Sequence, residues 1–411
     1  MSDEFFDWSS QDVWAHGAWA DGAFLNGAFF HNAWGPARLP ARAINLKNAH
    51  AMYGGKISHT VAMASPPTIV TGASVWNGLP GITGEHDYRD ETVNPFVRYF
   101  GGGDKDYSHF RRFPVATYAA TGGSLEDGQN AMVFRVETYT DAPTFVFYIL
   151  TGAKYRLLVD DKYVSLIGSD IGTGGGTGVA LEFGSRALRK IALEGSFADG
   201  FYGIGFAPGD IVQQSVRDPL ARMIVVGDSF TASTGATVPA DGFGQIIGDA
   251  LGVADVWLSG VGATGYVAKG VGDASYNLTE RLDDVNAHGP WDAIVVAMGF
   301  NDKGVATATI KANVAACLGS FRTNNPDSVI FVVGPWDDGA PDANLAPTKA
   351  AIRSGAKGIA GCYFIDVDGV SYSKSDAVHP DTAGHLTIGN YIVGKMMDVL
   401  WSATERFAGA T

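Results

Sequence analysis

The spacing of apolar residues divides the chain into two regimes. Between about 96 and 215, apolar and polar positions alternate over short runs: Ala131–Tyr139, Thr144–Leu150, Tyr155–Asp161, Tyr163–Ile167, Val179–Phe183, Arg189–Glu194 and Tyr202–Phe206. A period of two puts successive side chains on opposite faces of a strand. Seven or more such strands, separated by Gly and Asp turns, predict a β-sandwich of jelly-roll type. The glycine tract 172–178 reads as a loop between two of them. It is not a phosphate loop, because no Gly-Lys-Ser/Thr follows and no helix opens from it.

After about 220 the apolar runs become continuous and alternate with helical stretches. Strands are predicted at Met223–Val226, Ala254–Leu258, Asp292–Ala297, Ser328–Val333 and Tyr363–Val367. Helices are predicted at Phe243–Leu251, Tyr276–Ala287, Thr307–Arg322, Pro347–Ala360 and Thr382–Leu400. Strands apolar on both faces, flanked by helices, imply a five-stranded parallel sheet covered on both sides in a three-layer α/β/α arrangement. In such sheets ligands bind beyond the carboxyl ends of the strands, which directs attention to the loops there.

Length and composition agree with this division. The chain has 411 residues, enough for two or three domains at roughly 150 residues each, and 46% hydrophobic residues exclude wholesale disorder. The predicted domains are 96–215 (β) and 220–411 (α/β). Residues 41–95 form a connecting region without a clear pattern, and 1–40 hold a five-residue repeat. The repeat runs from His16 to Gly35 with an aromatic residue in each unit (Trp19, Phe24, Phe29, Trp34). It is similar to pentapeptide-type repeats and to short aromatic repeats of phage structural proteins. Its two readings are an arm capping the next domain and an element for homo-oligomerisation or virion assembly.

The net charge is −14, from 43 acids and 29 bases, and the acidity is spread along the chain. No clustered basic surface for nucleic acid is expected, and no run of apolar residues is long enough for a membrane span. The N-terminus reads as lacking a signal peptide, and the cellular location stays open. The two cysteines, Cys317 and Cys362, lie in apolar surroundings and are expected to be buried free thiols.

Candidate chemistry sits at the predicted strand ends. The first α/β strand runs into Gly227-Asp228-Ser229-Phe230; a serine needs an adjacent base to act as a nucleophile at neutral pH. Near the other end of the domain lies Asp376-Ala377-Val378-His379, in which the carboxylate can fix one imidazole nitrogen and leave the other for a serine. A zinc site would want more His or Cys nearby, and His385 lies in the closing helix at an unsuitable spacing. Two further strands run into Ser259-Gly-Val-Gly-Ala-Thr-Gly265 and into Gly299-Phe300-Asn301-Asp302. Glycine amides and an asparagine side chain can donate hydrogen bonds to a developing oxyanion. Asp302 has a second reading as a cap of the following helix.

Gly-Asp-Ser, a Gly-rich loop, Gly-x-Asn-Asp and Asp-x-x-His occur in that order, each after a strand of one α/β domain. The combination resembles the SGNH hydrolase superfamily, also called GDSL esterases, whose four blocks supply Ser, Gly, Asn and His. The resemblance implies a flavodoxin-like α/β/α domain with Ser229 as nucleophile, His379 as base and Asp376 as its orienter. It implies an oxyanion hole of the Ser229 amide, Gly262 and Asn301, with Gly260 or Gly265 as alternatives to Gly262. No metal or organic cofactor is required. Asp228 and Trp336 are assigned to the substrate side; Trp336 would either stack on a sugar ring or brace its loop. The preceding β region resembles the jelly-roll module of some carbohydrate esterases in this superfamily. The implied activity is a serine esterase that removes a small acyl group, acetyl first of all, from a carbohydrate through a covalent acyl-enzyme. The competing readings are a lipase or thioesterase of the same fold and a non-catalytic glycan-binding or structural protein.

Overall fold

The computed structural model describes residues 39–405 apart from 77–78, 86–95, 102–104, 108–109, 113–132, 151–153, 171–175, 197–200, 216–219, 271–276 and 338–341. The five-residue repeat lies outside the described residues. Among the described residues no helix is long and apolar enough to cross a membrane.

The α/β domain is built from β1 (Arg222–Gly227), α1 (Phe243–Leu251), β2 (Asp255–Gly260), α2 (Leu278–Ala287), β3 (Ala293–Ala297), α3 (Thr307–Asn324), β4 (Val329–Val333), α4 (Ala346–Ala356), β5 (Cys362–Ile365) and α5 (Thr382–Glu405). Its strands pair in parallel in the order β2-β1-β3-β4-β5. Strands β3 and β4 are buried at every position, as expected of a sheet covered on both faces. The order reverses at β1, whose neighbours are β2 and β3, so the crevice for a ligand opens past the ends of these three strands. Cys317 and Cys362 are buried free thiols, and burial raises both well above the usual thiol range.

Two antiparallel sheets precede this domain. One runs in the order 68–72, 176–182, 144–150, 201–206, 110–112, 105–107, with 83–85 also paired to 201–206. The other runs 169–170, 154–159, 189–196, 133–140, 212–214, with 98–100 on 133–140 and 162–163 on 154–159. Phe145, Phe147 and Ile149 of the first meet Phe134, Val136, Leu157 and Leu193 of the second in one apolar core, which makes the pair a sandwich. Two sequence readings need correction. Strands 68–72 and 83–85 belong to the sandwich although they precede residue 96. The glycine tract is not loop throughout: Gly176, Thr177 and Gly178 pair with Leu150, Ile149 and Tyr148. Glycine weakens a strand on its own, and a fixed neighbour supplies the ladder here.

The region read as patternless also contains the helix Ala43–Tyr53, which docks on the α/β domain. Buried Asp292 collects Arg42 Nη1 (3.1 Å), Asn45 Nδ2 (2.7 Å) and the Arg222 amide (2.7 Å). At the other end, a side chain on Gly252 would strike the Ala49 carbonyl, so α1 and this helix meet backbone to backbone.

An alternating strand ordinarily turns its polar positions to water. The sheet 133–140/154–159/189–196 does not. Arg135, Arg156 and Glu194 point away from the sandwich core yet are at most 3% exposed, because Asp241 and Asp249 of the α/β domain face them. Arg135 pairs with Glu194 and with Asp249 (2.9 Å); Arg156 pairs with Asp241 and with Glu194 (3.2 Å), and donates to the Tyr163 hydroxyl at 2.8 Å. His59 adds Nε2 to Asp249 at 3.0 Å. Burial works against the His59 imidazolium, but the Asp241 carboxylate 3.7 Å from Nδ1 and the bond to Asp249 outweigh this and raise its pKa. Two guanidinium groups and an imidazole whose charged form is favoured face these carboxylates, so opposite charges meet throughout the buried seam.

Replacing Arg156 with Met should leave two buried carboxylates short of a partner and lower the unfolding free energy by about 3–5 kcal/mol in urea melts. The same change at Arg186, whose side chain is 49% exposed while it pairs with Asp141 and Asp210, should lower stability far less. Equal effects would mean the seam carries no special share of stability.

Candidate active site

The turn after β1 carries Ser229 over the end of the sheet. Its backbone is closed by hydrogen bonds from the amides of Ala232 to the Asp228 carbonyl (3.0 Å) and of Thr234 to the Ser229 carbonyl (3.0 Å). The turn Lys374–Pro380, just before α5, carries His379 towards it. The two turns touch through backbone. Gly235 has φ +92°, and a Cβ there would lie 2.2 Å from the Pro380 carbonyl oxygen and 2.3 Å from Ser375 Oγ. Only glycine permits both that conformation and that approach.

His379 Nε2 lies 2.9 Å from Ser229 Oγ, and Nδ1 lies 2.7 Å from Asp376 Oδ2. The other Asp376 oxygen accepts the amides of Val378 and His379, both at 2.7 Å. These bonds, with the imidazole first, hold the Asp376 carboxyl well below the usual carboxylate range although the side chain is 53% exposed. The carboxylate therefore stays charged throughout neutral pH and fixes a proton on Nδ1, leaving Nε2 free to accept from the serine.

The loop after β2 comes close to the serine, and the loop after β3 is bonded to that loop. A Cβ built on Gly262 would lie 4.0 Å from Ser229 Cβ, with nothing nearer. Gly260 and Gly265 have a different purpose: a Cβ on the first would meet the Ala232 amide nitrogen at 2.2 Å, and on the second Asp302 Oδ1 at 2.3 Å. Of the three glycines only Gly262 faces the serine. Asn301 donates one Nδ2 hydrogen to the Thr264 carbonyl at 2.9 Å, which fixes the amide plane and leaves a second hydrogen on that nitrogen.

The helix-cap reading of Asp302 does not hold, since α3 begins at Thr307 after Ala306. Buried Asp302 instead accepts the amides of Tyr266 (2.8 Å), Val267 (3.0 Å) and Ala268 (2.8 Å), tying the third loop to the second. Burial raises its pKa against those three bonds. His385 is a strut. It is fully buried, with Nε2 at 3.0 Å from the Thr234 carbonyl and Nδ1 accepting the Phe243 amide at 3.3 Å. Burial pushes its pKa down to about 4, so the neutral ring with hydrogen on Nε2 is the form that fits. The sequence offered a signal for neither role beyond the Asn-Asp pair itself. Among the described residues no group of three or more His, Cys, Asp or Glu side chains is placed to hold a metal ion.

Both assigned substrate contacts are corrected. Asp228 is 2% exposed, and its Oδ1 accepts the Phe230 amide at 3.1 Å, so it lies under the turn and not in the cleft. Trp336 is 4% exposed, edge-on to Tyr372 at 6.2 Å, which favours bracing over stacking on a sugar. The aromatic ring beside the imidazole is Phe230, 5.9 Å from His379, with Phe300 and Tyr372 around it.

Residues 225–386 match the sequence model of the GDSL-like lipase/acylhydrolase family, a span that includes Ser229, Gly262, Asn301, Asp376 and His379. Over that span the α/β domain is similar to the GDSL-like, or SGNH, hydrolases. No curated protein sequence matches the chain. Among solved structures, the chain is similar to an active-site mutant of a family two carbohydrate esterase from Clostridium thermocellum: TM-score 0.59, 14% identity, 75% of this chain and 99% of that one covered. It is similar to the salicylyl-acyltransferase SsfX3 of a tetracycline biosynthetic pathway, with TM-score 0.59, 16% identity and coverage of 75% and 96%. It is also similar to an acetyl xylan esterase from the rumen bacterium Butyrivibrio proteoclasticus, with TM-score 0.55, 13% identity and coverage of 78% and 98%. At these identities the likeness is one of fold. Its coverage exceeds what the α/β domain alone contains, so the shared fold includes part of the sandwich.

Burial pushes the Asp228 carboxyl up to about 7, opposed by the Phe230 amide and then by the charge of Arg281. The folded chain then holds a proton that the unfolded chain has released above about 4, so stability falls as pH rises through that interval and the loss is complete above about 7. His385 acts in the opposite sense, because the unfolded chain takes up a proton below about 6.5 that the folded ring accepts only near 4; that stability is lost as pH falls. Asp228→Asn should remove the first effect. Its stability relative to the unsubstituted chain should rise from pH 4 to pH 8, by up to roughly 4 kcal/mol, in denaturant melts at each pH. A difference independent of pH would mean that Asp228 is ionised normally.

Proposed function

We propose that this SGNH hydrolase is a serine esterase that removes small O-acyl groups, acetyl first of all, from a carbohydrate. The observation that carries the reading is the unbroken hydrogen-bond chain from Ser229 Oγ through His379 to Asp376, at 2.9 and 2.7 Å. Ser229 Oγ attacks the ester carbonyl while His379 Nε2 takes its proton. The carbonyl oxygen, now negative, lies against the Ser229 and Gly262 amides and the free Asn301 Nδ2 hydrogen. The C–O bond to the alcohol breaks and His379 gives that oxygen the proton. Water then attacks the acyl-serine with His379 again as base, releasing the acid and restoring the hydroxyl.

The acetyl and carbohydrate assignments rest on two supports. The chain shares its fold with esterases whose descriptions name carbohydrate and acetyl xylan, and its sequence contains no long apolar segment to serve as a lipid lid. A second reading is favoured by the equal likeness to an acyltransferase. In it the same acyl-serine passes its group to an acceptor alcohol and not to water.

Ser229→Ala should lower p-nitrophenyl acetate turnover at least about 10³-fold with an unchanged melting temperature. Turnover that survives would sink the nucleophile assignment. In an acyl-chain series kcat/KM should peak at acetyl, and a maximum at eight carbons or more would point to a lipase or thioesterase. Acetate release from acetylated glycans tests the carbohydrate. Transfer of the acyl group to an added alcohol in preference to water would favour the second reading.

A further inference from the structure

Beneath the nucleophile turn lies a cation that the reaction as written does not use. Arg281, on α2, is fully buried. Its Nη1 donates to the Ser259 carbonyl at 3.0 Å and lies 3.3 Å from Ser259 Oγ, and its Nη2 donates to the Gly227 carbonyl at 3.0 Å. The two carbonyls belong to the last residue of β1 and the next-to-last residue of β2, where Val226 pairs with Ser259 and Gly227 with Gly260. The ladder ends there, and the two chains part to form the cleft. Ser229 follows Gly227 by two residues, and Gly262 follows Ser259 by three.

We propose that Arg281 is a positioning residue for acyl transfer, whose guanidinium fork sets the separation of the Ser229 and Gly262 loops and so the geometry of the oxyanion hole. The inference rests on the esterase reading above.

Three observations make the fork more than a filler. First, the rim has no slack. A Cβ on Gly227 would meet Thr231 Oγ1 at 2.0 Å, and one on Gly260 the Ala232 amide nitrogen at 2.2 Å, so the turn that carries Ser229 rests on both strand ends. A displaced carbonyl therefore moves the turn. Second, the base of the fork is anchored to the same loop it holds. The helix α2 begins under a capping box of Asn277 and Glu280, and the Leu278 amide donates to the Gly265 carbonyl at 3.0 Å. Third, the Gly227 carbonyl also accepts the Val261 amide at 3.1 Å, which places this acceptor between the guanidinium and the residue before Gly262. A planar fork reaches two carbonyls at fixed spacing. A lysine ammonium is a single point and does not reproduce that spacing.

The mechanism predicts a loss confined to the transition state. The ground-state ester makes little use of the oxyanion donors, whereas the tetrahedral species depends on them. In the full chain, Arg281→Lys and Arg281→Met are assayed with p-nitrophenyl acetate, with phenylboronic acid as a tetrahedral adduct of the serine, and with acetate as a ground-state ligand. Both variants are expected to lose at least ten-fold in kcat with KM within about three-fold. Boronate affinity should fall by a factor similar to the kcat loss, acetate inhibition should be unchanged, and the lysine variant should be the less impaired. The inference is overturned if kcat stays within two-fold in either variant, if KM and acetate inhibition move as much as kcat, or if the lysine variant does not melt cooperatively, since Arg281 would then serve the fold alone. Ser229→Ala run alongside separates the two claims: its retained turnover sinks the esterase reading, while an inactive alanine variant beside fully active Arg281 variants sinks only this one.

Discussion

A parallel sheet offers reactive groups a single edge, the rim where its strands end, and this site depends on how closely the loops past that rim are packed. Ser229, Gly262 and Asn301 follow β1, β2 and β3, the three strands around the reversal of strand order. Nothing in the strands themselves fixes the distances between these loops. Contacts at backbone range do so: Gly235 against Pro380, Gly265 against Asp302, Gly260 against Ala232. Each contact removes a degree of freedom before any substrate arrives, which is how preorganised donors gain their effect on a developing charge.

The sandwich takes part in that rigidity. Its charged face binds Asp241, just before α1, and Asp249, in the last turn of α1, and the segment leading from Ser229 to Asp241 is held midway by His385 at Thr234 and Thr382 at Thr237. A buried ion cluster is a weak device for net stability, since each charge gives up its hydration. It is a strict device for register, because a slipped sheet would leave charges unpaired. The domain boundary readable in the sequence is accordingly not a mechanical boundary.

The sequence carried some of this and concealed the rest, for physical reasons. The five α/β strands were legible because burial on both faces forces continuous apolar runs, and the four blocks at their ends were legible because nucleophile, base and donors are restricted to few residue types. The strands 68–72 and 83–85 were not, being short and lying among prolines and glycines. Arg135, Arg156 and Glu194 look like the wet side of an alternating strand, and only the opposing Asp241 and Asp249 make that face dry. Arg281 and Asp302 look like ordinary helix and turn charges, since their acceptors and donors are backbone groups that leave no pattern in side-chain identity. Trp336 and Asp228 misled in the opposite direction. Their positions at strand ends suggested the cleft, and packing placed both beneath it.

The two aspartates nearest the serine illustrate how environment divides one functional group into two. Asp376 is half exposed, accepts three hydrogen bonds and is held ionised; in the mechanism proposed above it aims a ring and stabilises a positive charge on it, and solvent contact does not hinder that. Asp228 is buried with a single amide on one oxygen and is pushed up to about 7, so near neutrality it exists in both states. Exchanging the two surroundings would leave an uncertain charge behind the imidazole and a fixed buried charge under the nucleophile. The structure does the reverse: the carboxylate whose charge the proposed chemistry uses is the solvated, well-bonded one, and the carboxylate whose shape the turn uses is the one permitted to be neutral.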